Sequence, residues 1–324
     1  MRKNVLLISF VLSLPFWLGI NTLAKNLEDF WYSQEIIKRP EILTASADQA
    51  ILGLKVKETR KQKLKEEYFN NLEIESESAI SVEVDNRGNE KVLFEKNPQK
   101  SLPIASLTKL MTALVIFDLD ETYNFLQLIK ITKEAVGQEG SSKYGDLRVG
   151  ESLLAKDLLY KMLIESSNDA AFALTEPIGK EAFVGLMNLY AKELGLENTH
   201  FVNPTGLESN TLEEPNNIST TRDLVKLARY IIENYPQIFE ITTHQSYEFL
   251  KPDGSLHHFI AQNTNELLGE IPGIIGGKTG WEIEAEGCLL LIIKHPKGNY
   301  FINVILGSND RFAEMRKIID ILNI

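Results

Sequence analysis

The sequence predicts an α+β fold. Alternating apolar residues mark short strands at Ala79–Asp85 and Lys91–Glu95, and long apolar runs mark two more at Glu286–His295 and Tyr300–Leu306. The chain between these pairs carries helical periodicity. Strands gathered at both ends of a chain, with helices between them, point to an antiparallel sheet flanked by helices rather than a repeated βαβ unit. The chain has 324 residues, 44% of them hydrophobic, enough for one or two domains with a sizeable core.

Composition excludes several classes. Net charge is −11 with no long basic run, so nucleic acid is not an expected partner. The single cysteine, Cys288, lies in the apolar run Cys288–Ile293 and reads as a buried thiol. None of the five histidines has metal-ligand helical spacing and no CxxC occurs, so neither a metal nor another cofactor is expected.

In chain order, Arg2 and Lys3 precede an apolar stretch from Val5 to Ala24. It reads either as a signal peptide cleaved after Ala24 or as a membrane anchor, because ~20 apolar residues suffice to span a bilayer. Both readings export the rest of the chain. Residues 25–76 read as a stalk, charge-dense from Lys55 to Asn71, and residues 77–324 as the folded domain. Asn86–Asn89 between the first two strands is a turn signal, which makes them a hairpin.

Pro103–Lys109 then runs into the apolar Leu110–Phe117, a loop that becomes a buried helix. Residues three apart share a helix face, so Ser106 and Lys109 stand side by side at a helix N-terminus, where free N–H groups favour anions. A hydroxyl beside an amine in that setting has the layout of an activated nucleophile. Ser-x-x-Lys alone arises by chance about once in a chain of this length. After a polar loop from Gly137 to Gly150, the periodicity predicts a helix over Glu151–Ile164. Ser166-Ser167-Asn168-Asp169 follows and caps another helix. Further helices are expected over Glu181–Leu194 and Thr221–Asn234, separated by the Pro- and Gly-bearing loop Phe201–Leu207. Gly276-Gly277-Lys278-Thr279-Gly280-Trp281 leads into the C-terminal hairpin, and Arg311–Leu322 reads as a final helix.

Three short motifs each occur once: Ser-x-x-Lys at Ser106–Lys109, Ser-x-Asn at Ser166–Asn168, and Lys-Thr-Gly at Lys278–Gly280. Their order is the one found in penicillin-recognising serine enzymes. With them, Glu193–Leu207 and Gly307–Arg311 make the chain resemble the serine D-alanyl-D-alanine carboxypeptidases, the low-molecular-mass penicillin-binding proteins, from about Ala79 to Leu322. The resemblance implies a β-lactamase/DD-peptidase-like fold: an antiparallel sheet with flanking helices and a mostly helical subdomain. It implies an acyl-enzyme on Ser106, with Lys109 as base and Ser166 relaying a proton to the leaving amine. Asn168 would hold Lys109 and the substrate amide. Backbone N–H groups of Ser106 and Trp281 would form an oxyanion hole beside Gly280, while Lys278, Thr279 and Arg311 would bind the terminal carboxylate. A neutral Lys109 needs burial and a nearby positive charge, which Lys278 can supply.

The implied partners are peptidoglycan stem peptides ending in D-Ala-D-Ala, with β-lactams as inhibitors. The implied location is the bacterial cell envelope, at the outer face of the cytoplasmic membrane. Many members carry a β-rich domain and an amphipathic anchor downstream. The sequence stops at Ile324, so neither is expected here and attachment is assigned to the N-terminus. Glu165 departs from the neutral residue expected before Ser166 and is read as solvated. Asn203 and Thr205 are read as shaping their loop. Three other functions stay open: a DD-endopeptidase using the same site, a β-lactamase, and an inactive binding protein of the same fold. A β-lactamase also needs a glutamate that positions water, and Glu193–Glu197 lacks the asparagine that should follow its leucine.

Overall fold

A computed structural model describes residues 41–119, 123–138, 147–208, 215–250, 256–296 and 298–322. The proposed signal or anchor segment, residues 1–24, lies outside them. Among the described residues, no helix is long and apolar enough to cross a membrane.

In chain order the elements are α1 (Glu41–Asn70), β1 (Ser78–Val84), β2 (Glu90–Lys96), β3 (Leu102–Pro103), a 3-10 turn (Ala105–Leu107), α2 (Thr108–Asp118), β4 (Leu128–Lys130), α3 (Lys133–Val136), β5 (Ser152–Leu154), α4 (Ala155–Ile164), α5 (Asn168–Ala173) and α6 (Lys180–Glu193). They continue with β6 (Ile218–Ser219), α7 (Thr221–Asn234), α8 (Gln237–Thr242), β7 (Ser246–Leu250), β8 (Leu256–Gln262), β9 (Ile274–Glu282), β10 (Glu286–Lys294), β11 (Tyr300–Ser308) and α9 (Arg311–Leu322).

The main sheet has the order β2-β1-β11-β10-β9 and is antiparallel throughout. The N-terminal hairpin therefore pairs with the last strand, with Ile80 opposite Val304. Strand alternation divides the side chains of β10 and β11 between two apolar layers. Leu290, Ile292 and Val304 pack with Leu110, Met111 and Leu158 of the helical side. Leu289, Leu291 and Ile305 pack with Met315, Ile318 and Ile319 of α9. Burial on both faces is why β10 reads as one unbroken apolar run.

The chain divides into two compact units, residues 1–65 and 66–324. The second starts upstream of the Glu77 boundary that composition suggested. Phe69 and Ile74 are buried in the α9 layer, and the buried Glu314 carboxylate accepts the Glu75 and Ser76 N–H groups. This packing lies in a charge-dense stretch and leaves little trace in its periodicity.

Two other elements differ from expectation. Residues 152–154 are not helical: they form β5, paired antiparallel with β4, before α4 begins. The Lys-Thr-Gly motif lies inside β9, the edge strand, rather than ahead of the core strands. Helix α8 and the β7–β8 hairpin were not anticipated, although Tyr247 and Phe249 alternate as strand residues do.

Candidate active site

The 3-10 turn that opens α2 presents Ser106. Ala105 just before it has φ of 45°, left-handed for a non-glycine residue. Two elements press on this turn. Gly280 of β9 lies so close that a Cβ there would be 3.1 Å from the Ser106 nitrogen and 3.1 Å from the Ile104 carbonyl oxygen. Gly206 approaches the Ala105 carbonyl from the loop before β6.

Lys109 is fully buried in the first turn of α2. Its Nζ donates to Ser106 Oγ at 2.8 Å, Asn168 Oδ1 at 2.6 Å and the Thr205 carbonyl at 2.6 Å. An ammonium uses all three protons this way. A neutral amine in the same place keeps two of these bonds and turns its lone pair toward the serine hydroxyl.

Ser166 sits between α4 and α5 with φ of 69°, and its Oγ accepts from Lys278 Nζ at 2.8 Å. Ser167 caps α5 by accepting from the Ala170 N–H at 3.2 Å. The cap turns Asn168 toward Lys109. Glu165 is only partly solvated, short of the expectation: it is 24% exposed and pairs at 2.7 Å with the ammonium of Lys161, which is 0% exposed.

Lys278 also donates to the Thr279 carbonyl at 3.0 Å. Burial, then the charge of Lys109, then that of Arg311, holds Lys278 well below the ordinary lysine range. Coulomb repulsion is mutual, so the Lys109–Lys278 pair releases its first proton more readily than a solvated lysine does. The Thr279 hydroxyl is hydrogen-bonded to that of Thr264. Trp281, next along β9, exposes its indole.

Arg311 is the first residue of α9. Its guanidinium lies 4.6 Å from the Phe312 ring centroid, and its buried Nε has no hydrogen-bond partner among the described residues. Burial lowers its pKa.

The structure thus joins Ser106, Lys109 and Asn168 by hydrogen bonds and, separately, Ser166 and Lys278. It sets Gly280 against the serine turn and Arg311 within electrostatic reach of Lys278 without bonding the two. Sequence reasoning missed three contributors. The Thr205 carbonyl holds Lys109, a backbone role that no side-chain motif signals. Asn217 accepts from the Val202 and Asn203 N–H groups at 2.7 and 3.1 Å and donates to Thr108 Oγ1 at 2.9 Å, tying this loop to α2. Thr264 is the third. Asn203 shapes the loop as expected, its Oδ1 accepting from Thr205 N at 3.1 Å and Gly206 N at 2.7 Å. Among the described residues no cluster of three or more His, Cys, Asp or Glu side chains could hold a metal ion.

A family model described as D-alanyl-D-alanine carboxypeptidase matches residues 61–310. The chain is 36% identical over 254 residues to the D-alanyl-D-alanine carboxypeptidase DacF of Bacillus subtilis, covering 76% of this chain and 61% of that protein. It therefore spans about three fifths of that relative's length. It is 33% identical over 255 residues to a D-alanyl-D-alanine endopeptidase of Pseudomonas aeruginosa, covering 76% of each. Penicillin-binding protein D2 of Listeria monocytogenes, solved in a cefotaxime-bound form, superposes with a TM-score of 0.65 at 28% identity, over 77% of this chain and 98% of that one.

Proposed function

The chain belongs to the D-alanyl-D-alanine carboxypeptidase family, and from that premise we propose that it removes the terminal D-alanine from peptidoglycan stem peptides through an acyl-enzyme on Ser106. The observation that carries the reading is the 2.8 Å contact between the fully buried Lys109 Nζ and Ser106 Oγ.

As a neutral amine, Lys109 takes the hydroxyl proton while Ser106 Oγ attacks the carbonyl carbon of the penultimate D-alanine. The developing oxyanion is held by the backbone N–H groups of Ser106 and Trp281, which Gly280 allows to approach one another. The C–N bond then breaks with its electron pair on nitrogen. Ser166 gives that nitrogen a proton and is reprotonated from Lys278, leaving an ester on Ser106 and free D-alanine. Water hydrolyses the ester. Asn168 holds Lys109 and the substrate amide, and Lys278, Thr279 and Arg311 hold the terminal carboxylate. A β-lactam acylates Ser106 by the same attack, but its leaving nitrogen stays tethered.

We place the protein in the bacterial cell envelope, at the outer face of the cytoplasmic membrane, where this substrate lies. The signal-like residues 1–24 are its route there, either as a cleaved signal peptide or as a retained anchor. The endopeptidase relative, matched over 76% of its length, supports a second reading in which the same site cuts cross-links between stems. Incubation with a monomeric peptide ending in D-Ala-D-Ala and with a cross-linked dimer separates the two. Free D-alanine from the monomer is the expected result. Cleavage of the dimer alone favours the endopeptidase, and no cleavage of either overturns both.

A further inference from the structure

Glu165 is the departure from the family pattern nearest the reacting groups, and the structure gives it a partner. Lys161 lies in the last turn of α4 and Glu165, four residues on, is its C-cap, a spacing at which helical side chains meet. The Lys161 ammonium is fully buried and bonded to Glu165 Oε2 at 2.7 Å. The backbone of the same lysine is used twice: its carbonyl accepts from the Glu165 N–H at 3.2 Å and the Ser167 N–H at 3.4 Å. Ser166, enclosed between those two donors, has φ of 69°. An L-residue avoids that region unless its surroundings hold it there. Its Oγ then meets Lys278 Nζ at 2.8 Å.

We infer that Lys161 and Glu165 form a positioning pair: the buried ion pair closes the last turn of α4 and fixes the left-handed Ser166 so that its hydroxyl faces Lys278. The inference rests on the reading of Ser166 as the proton relay to the leaving amine. A mobile Glu165 frees the residue joined to Ser166, and the hydroxyl then leaves its line with Lys278. Ser106 is held by its own turn and Lys109 by the Thr205 carbonyl, while Asn168, which also holds Lys109, is kept in place by the Ser167 cap of α5.

This arrangement predicts a chemical signature. An amine is expelled from a tetrahedral intermediate only as its nitrogen gains a proton. A thiolate departs with its electron pair and needs none. Loss of Ser166 positioning therefore slows an amide substrate and spares a thioester whose leaving group is a 2-mercapto acid, which keeps the terminal carboxylate.

The test measures kcat and KM for a D-Ala-D-Ala peptide and for its thioester analogue. The enzymes compared are wild type, Glu165→Ala, Glu165→Gln, the double variant Lys161→Met/Glu165→Met, and Ser166→Ala as reference. For Glu165→Ala we expect kcat on the amide to fall at least about tenfold, a part of the full effect of general acid catalysis. KM on the amide and kcat on the thioester should both stay near wild type. Glu165→Gln, which still accepts a hydrogen bond from Lys161, should recover most of the amide rate. The double variant removes the buried charge with its partner, so it keeps the question answerable if Glu165→Ala does not fold; it should show the same preference for the thioester. Equal losses on both substrates, or none on either, overturn the positioning role. If Ser166→Ala itself does not discriminate between leaving groups, the relay reading has failed. If Ser166→Ala discriminates and the Glu165 variants do not, the inference has failed and the relay stands.

Discussion

Gly206 passes directly against Ala105: a Cβ at Gly206 would stand 2.0 Å from the Ala105 carbonyl oxygen, and φ at Gly206 is +85°. No side chain fits that space or suits that backbone. The contact presses the 202–207 loop onto the turn that carries Ser106, and the Thr205 carbonyl next door binds Lys109. Gly206→Ala should therefore cost more than about 2 kcal/mol of stability, from strain and overlap combined. Acylation of Ser106 should slow in any fraction that folds. Thermal unfolding and the rate of labelled-penicillin uptake measure the two effects. A variant that matches wild type in both would show that the turn is held from elsewhere.

Labelled penicillin should form one covalent adduct, mapped by mass to Ser106. Lys109→Met should lower the acylation rate by at least about a hundredfold, the usual size of a general-base contribution. Methionine fills most of the lysine volume without a charge, so a cooperative unfolding transition should remain. An adduct elsewhere rejects Ser106, and wild-type acylation by the variant rejects Lys109 as the base.

Arg311 offers a buried Nε with no hydrogen-bond partner among the described residues, within electrostatic reach of Lys278, in a protein with net charge −11. A small anionic peptide end needs such a local cation. A hydrogen bond to a charged group is worth about 1.5–3 kcal/mol, so Arg311→Ala should lower kcat/KM for a free-carboxylate peptide by roughly ten- to a hundredfold. A peptide amidated at its C-terminus should lose much less. Equal losses would assign Arg311 to the fold.

The same arginine sets a pH limb. Its charge is one of the causes that lower Lys278, after burial and Lys109. Removing a positive neighbour makes a lysine easier to protonate, so its pKa rises. In Arg311→Met the alkaline limb of the limiting acylation rate, where Lys278 loses the proton it passes to Ser166, should move to higher pH. A limb that moves to lower pH contradicts the assigned coupling.

Residues 66–76 should matter for stability. Deleting them exposes the sites of Phe69 and Ile74, each contributing about 1.5–3 kcal/mol by burial. It also takes two N–H donors from the buried Glu314 carboxylate. Protein spanning 77–324 should melt at least about 5 °C below protein spanning 66–324, as scaled for a domain of this size. Identical melting would place the true boundary at Glu77.

Local signals were legible where a residue's conformation depends on its near neighbours. The Asn86–Asn89 turn was read from its turn-forming residues, β10 from its apolar run, and a helix was expected over Thr221–Asn234, where α7 lies. The β5 error arose because Glu151–Ile164 carries helical spacing throughout, yet residues 152–154 find a hydrogen-bonding partner in β4. Pairing with a distant strand overrode local preference. The Glu165 error is of another kind. The spacing to Lys161 was visible, but an i,i+4 pair reads as surface charge until packing buries one partner.

The sequence by itself determined which chemical groups are available and in what order: one Ser-x-x-Lys, one Ser-x-Asn and one Lys-Thr-Gly, each beside a recognisable element. Only the tertiary structure decided what they touch. Lys109 meets Asn168 across 59 residues of chain and the Thr205 carbonyl across 96, and Lys278 meets Ser166 across 112. No local rule fixes such distances. They follow from two apolar layers closing on opposite faces of the sheet, which sets β9 against the serine turn and brings the ends of α4 and α5 to the same place. Burial then changes the chemistry of the lysines, and burial belongs to the packed molecule rather than to any segment of it.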